Sequence, residues 1–147
     1  MFRMPPWPKR FIPSVLEEFF RRPDLDRAEQ DLPEYVPYLQ GSRYSLERLT
    51  ASFSNLTLET NREQMLLALL KGNARYIGGH LKEIAGMVKL GRKAMVTGGG
   101  ASIRGMDQVK RRWIGDFEYE YREQSSVVGA AMLGRFYQTG SYWEEKA

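Results

Sequence analysis

The sequence predicts an α/β fold: a helix–strand–helix–strand–helix core preceded by an irregular N-terminal segment. Three observations carry that prediction. Leu66, Leu69, Leu70, Ala74, Ile77, Leu81, Ile84 and Val88 recur at intervals of three and four residues, the period of one helix face. Ala94 to Thr97 is a short apolar run that enters three consecutive glycines, Gly98 to Gly100. Phe117, Tyr119 and Tyr121 alternate with Glu118, Glu120 and Arg122, the period of a half-buried strand. Strands that alternate with helices argue for a parallel sheet with right-handed crossovers.

The elements follow in chain order. Met1 to Phe11 reads as an arm or linker, because Pro5, Pro6 and Pro8 remove backbone donors and fix φ. Pro13 and Ser14 open a short helix through Arg22, with Val15, Leu16, Phe19 and Phe20 on one side, and Pro23 ends it. Residues 24–58 show little periodicity and are punctuated by Pro33, Pro37 and Gly41. They read as a long connection carrying short strands, one of them at Phe53 to Leu58. Thr60 and Glu63 have the spacing of a capping box ahead of the long helix. Gly72, Gly78 and Gly79 interrupt that helix pattern, so either a break near 78–79 or close approach by another element is expected. A helix is expected from about Ile103 to Trp113, and Ser125 or Ser126 caps a last one from Val127 to about Tyr137. Two strands are too few for a stable sheet. The sheet is therefore expected to continue into chain that this sequence does not contain.

Composition narrows the function classes. With 147 residues, 42% hydrophobic and 27% charged, the chain has the balance of one globular domain able to bury a core. It has no cysteine, which excludes disulfides and thiolate metal sites and is compatible with the cytoplasm, the expected location. The net charge of +4 favours an anionic ligand. Basicity alone is a weak warrant for nucleic acid, and Lys110, Arg111 and Arg112, at successive helix positions, read as a solvated face. No stretch approaches the roughly 20 apolar residues of a membrane span. His80 is the only histidine and reads as a solvated or packed helix residue. Tyr119 and Tyr121 read as strand packing rather than as base-stacking platforms, and Gly129, Ala130 and Ala131 as a close-packing surface of the last helix on the sheet. Asp24, Asp26, Asp31 and Asp107 sit in no catalytic pattern and read as solvated.

Gly98 to Gly100 pose the functional question. Where a strand runs into a helix, the first helical N–H groups lack partners and the helix dipole adds partial positive charge. Glycines let a ligand approach that backbone without meeting a Cβ atom. The spacing matches neither the P-loop nor GxGxxG, so a tight turn with no ligand stands beside nucleotide contact as the alternative.

Taken together, "VTGGGAS", "MDQVKRRWIGDFEYEYRE" and "SSVVGAAMLGRF" resemble the C-terminal domain of the FGGY family of carbohydrate kinases. Gly98, Gly99, Gly100 and Ala101 match its GGGA turn, Gln108 its helix glutamine, and Ser126, Gly129, Ala130 and Ala131 its last helix. Upstream, "ASFSNLTLETNREQMLLALLKG" resembles the family's second signature through Phe53, Leu56, Gln64, Met65, Ala68 and Gly72. "PYLQGSR" is similar to a loop of xylulokinase-like members. The departures are Ser42 for the loop glutamate, Asn55 for glycine, Lys71 for an acid, Met106 for tryptophan and Arg111-Arg112 for Ala-Asp. Ile103 stands where many members carry an asparagine near adenine.

The resemblance implies a partial actin-like ATPase domain of the ribonuclease H-like class. Residues 1–36 would be an arm with a short helix, 37–140 the C-terminal portion of a kinase domain, and 141–147 a tail. It implies ATP and Mg2+ as cofactors, with Gly98, Gly99, Gly100, Ala101 and Gln108 at the nucleotide. The metal is expected mainly from the missing part of the kinase. No catalytic residue and no metal ligand carries over to this chain. A pentulose or polyol would be the phosphate acceptor, bound only with the missing N-terminal domain, and the isolated chain would be inactive. A homodimer of the full-length protein stays open. The competing functions are a non-catalytic nucleotide-binding or regulatory domain descended from a sugar kinase, and a nucleic-acid-binding module.

Overall fold

The computed structural model describes residues 10–41 and 46–141. The arm prolines, Ser42 and most of the 141–147 tail lie outside them. Nine elements follow: α1 (Phe11–Phe20), α2 (Leu25–Gln30), β1 (Glu34–Val36), β2 (Ser52–Ser54), α3 (Arg62–Met87), β3 (Lys93–Val96), α4 (Met106–Trp113), β4 (Glu118–Tyr121) and α5 (Ser125–Thr139). The helix–strand–helix–strand–helix core is therefore present as α3, β3, α4, β4 and α5. β3 and β4 pair in parallel, Lys93 opposite Glu118 and Val96 opposite Tyr121. β1 and β2 form a separate antiparallel pair with Tyr35 opposite Phe53, their rings 4.7 Å apart. Among the described residues no helix is long and apolar enough to cross a membrane.

Several boundaries differ from the sequence expectation, each for a local reason. The connection over 24–58 contains a helix, α2, whose six residues are too few to show a period. The strand expected at Phe53 to Leu58 ends at Ser54, because Asn55 turns the chain with φ 60° and the Thr60 hydroxyl accepts from the Thr57 N–H at 2.9 Å. Engaged in that turn, Thr60 does not cap α3. Asn61 does: its side chain accepts from Gln64 N–H while Gln64 Oε1 accepts from Asn61 N–H, both at 2.9 Å. The capping box is thus one residue later than Thr60 and Glu63. α4 begins at Met106 rather than Ile103, behind Gly105 at φ 89°. α5 begins at Ser125 behind Gln124, with no side-chain cap from either serine.

The long helix is unbroken through Gly78 and Gly79. Gly78 instead admits α4: a Cβ there would stand 2.9 Å from the Trp113 carbonyl oxygen and 3.1 Å from that of Ile114. Gly72 admits β1, since a Cβ there would overlap the Tyr35 carbonyl oxygen. No protein atom of the described residues lies within 4 Å of a Cβ on Gly79.

The core sits among α1, α2, α3 and α4, built from Val15, Leu16, Phe19, Ala28, Leu32, Leu67, Ala74, Val109 and Trp113. Trp113 lies 6.2 Å from the Phe19 ring and 5.6 Å from the Phe20 ring. Residues 11–32, expected as a short helix at the end of an arm and the start of a connection, therefore supply half of the buried apolar residues. Several large apolar side chains outside this core stay exposed. Ile77, Ile84 and Met87 of α3 and its C-cap Val88 are exposed, as are Val127, Val128, Leu133 and Phe136 of α5. α5 has no buried residue, and nothing meets a Cβ on Gly129. The expected close packing of Gly129, Ala130 and Ala131 on the sheet does not occur among the described residues.

One buried carboxylate ties α2 to α3 and α4. Glu29, its side chain 10% exposed, receives Arg75 Nη2 at 2.9 Å and Lys71 Nζ at 3.3 Å on Oε1, and Arg112 Nε at 2.9 Å on Oε2. Lys71 Nζ also donates to the Glu29 carbonyl oxygen at 2.9 Å, and Arg112 reaches on to Asp26. Burial raises the Glu29 pKa. The nearby Trp113 indole, the Arg112 hydrogen bond and the Lys71 charge together outweigh burial and leave it below the ordinary carboxylate value. Burial and the Arg75 charge push the Lys71 ammonium down, against the pull of Glu29.

Denaturant unfolding of four variants tests this packing. Leu16→Ala, at a fully buried position, costs about 3 kcal/mol. Gly79→Ala stabilises by up to about 1 kcal/mol, because the helix gains propensity in open space, whereas Gly72→Ala destabilises by about 2 kcal/mol through overlap with β1. Glu29→Gln costs about 2 kcal/mol at neutral pH by leaving the cations without their shared anion. The folded-state pKa of Glu29 is depressed, so its contribution is complete above its ordinary value of 4.5 and is lost as pH falls through the lowered value. Wild type and Glu29→Gln therefore converge in stability under acid. A pH-independent difference between them refutes that account.

Candidate functional site

The glycine turn follows β3 directly, on the parallel strand pair. Gly98 has φ 99°, a left-handed conformation that glycine adopts without strain. Its carbonyl accepts from Ala101 N–H at 3.0 Å, closing the turn, and the Ser102 hydroxyl donates to the Gly99 carbonyl at 3.2 Å. All three glycines are exposed, and no atom of the described residues comes within 4 Å of a Cβ placed on any of them. Internal packing therefore does not require glycine at Gly99 or Gly100. The bare backbone is available to a flat or branched ligand group.

The helix dipole is not at the glycines. α4 starts five residues beyond Ala101, and the intervening chain is a series of turns, with Ile103 N–H on the Gly100 carbonyl and Met106 N–H on the Ile103 carbonyl. The sequence expectation of free helical N–H groups at Gly98 to Gly100 is corrected accordingly. Gly105, the residue before α4, faces α1 instead: a Cβ there would stand 2.9 Å from the Leu16 Cβ. Gln108 lies exposed in the first turn of α4, its N–H on the Gly105 carbonyl at 3.1 Å. Ala101 is half-buried at the end of the glycine turn.

Each cation of the basic run has its own ion-pair partners. Lys110 is not solvated but buried, with Nζ 2.6 Å from Asp107 and 5.1 Å from the Tyr119 ring centroid. Arg111 pairs with Asp116 at 3.0 Å, and Arg112 with Glu29 and Asp26. Asp26 and Asp107 are thus ion-pair partners as well as solvated groups. The Tyr119 hydroxyl donates to the Gly115 carbonyl at 2.7 Å, and burial pushes its pKa up, as strand packing requires. Tyr121 remains 46% exposed. His80 packs edge-on against Tyr76 at 4.6 Å, with Nδ1 3.4 Å from Glu83.

Two departures from the resembling motifs have local explanations. Asn55, standing where the signature has glycine, occupies the left-handed region that asparagine tolerates best after glycine. Lys71, standing where it has an acid, is drawn into the Glu29 network. That network was invisible in the sequence. Its members lie 42, 46 and 83 positions from Glu29, and only Lys71 and Arg75 share a helical spacing.

Comparison with known proteins bears on the fold. No protein-family model matches the chain, and no curated protein matches it. Among solved structures, xylulose kinase from Rhodospirillum rubrum is similar, with a TM-score of 0.58 and 16% sequence identity. The match covers 85% of this chain and 28% of that one, so the chain spans well under a third of that kinase's length. At this identity the likeness is one of fold: a mixed α/β arrangement similar to part of a sugar kinase.

Proposed function

We propose that the chain is the C-terminal, ATP-side portion of a carbohydrate kinase with an actin-like fold, whose whole protein transfers the γ-phosphate of ATP to a hydroxyl of a pentulose or polyol. The observation that carries this reading is the exposed GGGA turn between β3 and α4. It lies in a fold similar to a sugar kinase's, and its glycines have no internal packing role. Such a backbone fits the adenosine part of ATP, which can lie on Gly98, Gly99 and Gly100 without meeting a side chain, with Ala101 and Gln108 beside it.

The share of the chemistry assigned to this chain is placement of the nucleotide. Phosphoryl transfer to a sugar hydroxyl also needs a carboxylate to take the proton, and Mg2+ to offset phosphate charge. Neither role is assigned to a residue here; both belong to the portion of the kinase that the chain does not span. The open apolar faces of α5 and of the second half of α3 support a place inside a larger domain of residues 37–140 and beyond. One observation favours a second reading, a non-catalytic nucleotide-binding domain descended from such a kinase: Lys71 serves the Glu29 network at a position where the kinase signature has an acid.

Titration with ATP and ADP tests the shared core of both readings. Saturable binding is expected, weakened about tenfold or more by Gly99→Leu. That variant should unfold within about 0.5 kcal/mol of wild type, since its site is exposed and unpacked. Absence of saturable binding at millimolar nucleotide removes both readings. Assayed alone against a panel of sugars, the chain is expected to give no ATP-dependent phosphorylation. Robust turnover would show that the missing portion is not required.

A further inference from the structure

A second polar site lies at the opposite end of α4 from the glycine turn. A groove runs between α3 and the C-terminal end of α4, lined by Arg75, Gly79 and Lys82 on one side and by Arg112 and Trp113 on the other. Glu29 closes its buried side.

Charge in the groove is unbalanced. Arg75, Lys82 and Arg112 face one carboxylate, Glu29. Asp26, on the far side of Arg112, takes part of that guanidinium's charge, while Lys71 and Glu34 attract each other in the adjoining groove. Glu29 already occupies Arg75 Nη2 and Arg112 Nε, yet a guanidinium has five N–H donors, so both forks keep donors to spare. Among the described residues no carboxylate forms an ion pair with Lys82, which is exposed. Gly79 keeps the α3 wall bare, with nothing within 4 Å of a Cβ there. Guanidinium forks beside an ammonium, over a surplus of positive charge, suit a tetrahedral dianion better than a second carboxylate.

We propose that this groove binds a phosphate group carried by a small soluble compound, with Arg75, Lys82 and Arg112 as its direct partners. The site is separate from the glycine turn, and the proposal does not rest on the kinase reading.

Calorimetric titration of the full chain with inorganic phosphate and with pyrophosphate, at constant ionic strength, tests it. Saturable binding is expected with both. It should weaken about tenfold or more in Lys82→Gln, whose exposed side chain holds no fold contact, and similarly in Arg75→Gln. Arg92→Gln, removing an exposed cation near β3, and Gly99→Leu should bind phosphate as wild type does. No saturable binding overturns the proposal. So does an equal loss in Arg92→Gln, which would mean a diffuse charge effect, or a loss in Gly99→Leu, which would move the anion to the turn. Absence of nucleotide binding by the wild-type chain, with its phosphate binding intact, would instead count against the nucleotide readings and leave the groove proposal standing.

Discussion

The close crossing of α4 on α3 at Gly78 is the contact from which the rest of the structure follows. With no side chain at Gly78, the carbonyls of Trp113 and Ile114 come down onto the helix. That approach sets the Trp113 indole against Phe19 and Phe20 and so recruits α1 into the core. It also brings Arg112 onto Glu29 of α2. At the other end of α4, Gly105 lies against Leu16, which anchors the start of the helix and the chain that returns from the glycine turn. Close approach here is a steric requirement, and it explains a glycine that a helix of this length would otherwise disfavour.

Electrostatics adds specificity to that packing. Glu29 is buried, and its desolvation is offset by the donors that surround it. Networks of this kind contribute less to net stability than their geometry suggests, yet breaking one leaves charges stranded. Three cations drawn from two helices meet on a single carboxylate, so the arrangement specifies how α2, α3 and α4 register. It leaves positive charge over at the surface, which is the physical basis of the anion groove.

Much of the fold was legible in the sequence because it rests on local periodicity. The long amphipathic helix, the apolar run into Gly98 and the alternation at Phe117 to Tyr121 each have a period that is independent of the rest of the chain. The parallel pairing of β3 and β4 followed from the helix between them. Where two adjacent residues offered the same chemistry, spacing could not choose between them. Thr60–Glu63 and Asn61–Gln64 both fit a capping box, and the turn at Asn55, which engages Thr60, selected the second. Lys110 read as solvated because its burial depends on Tyr119, nine residues away in another element. The GGGA turn was legible as a bare backbone, but the sequence placed helical N–H groups beside it that the turns before Met106 put farther along.

By itself the sequence determined the types and order of α1, α3, β3, α4, β4 and α5, and a glycine turn that carries no side chain, since these depend on neighbours within a few residues. Tertiary structure alone decided which glycines are for packing and which are open. Gly72 and Gly78 meet another backbone, while Gly79 and Gly98 to Gly100 meet none. It alone assembled Glu29, Lys71, Arg75 and Arg112, because Coulomb attraction and hydrogen bonding act through space between residues that the chain separates by dozens of positions.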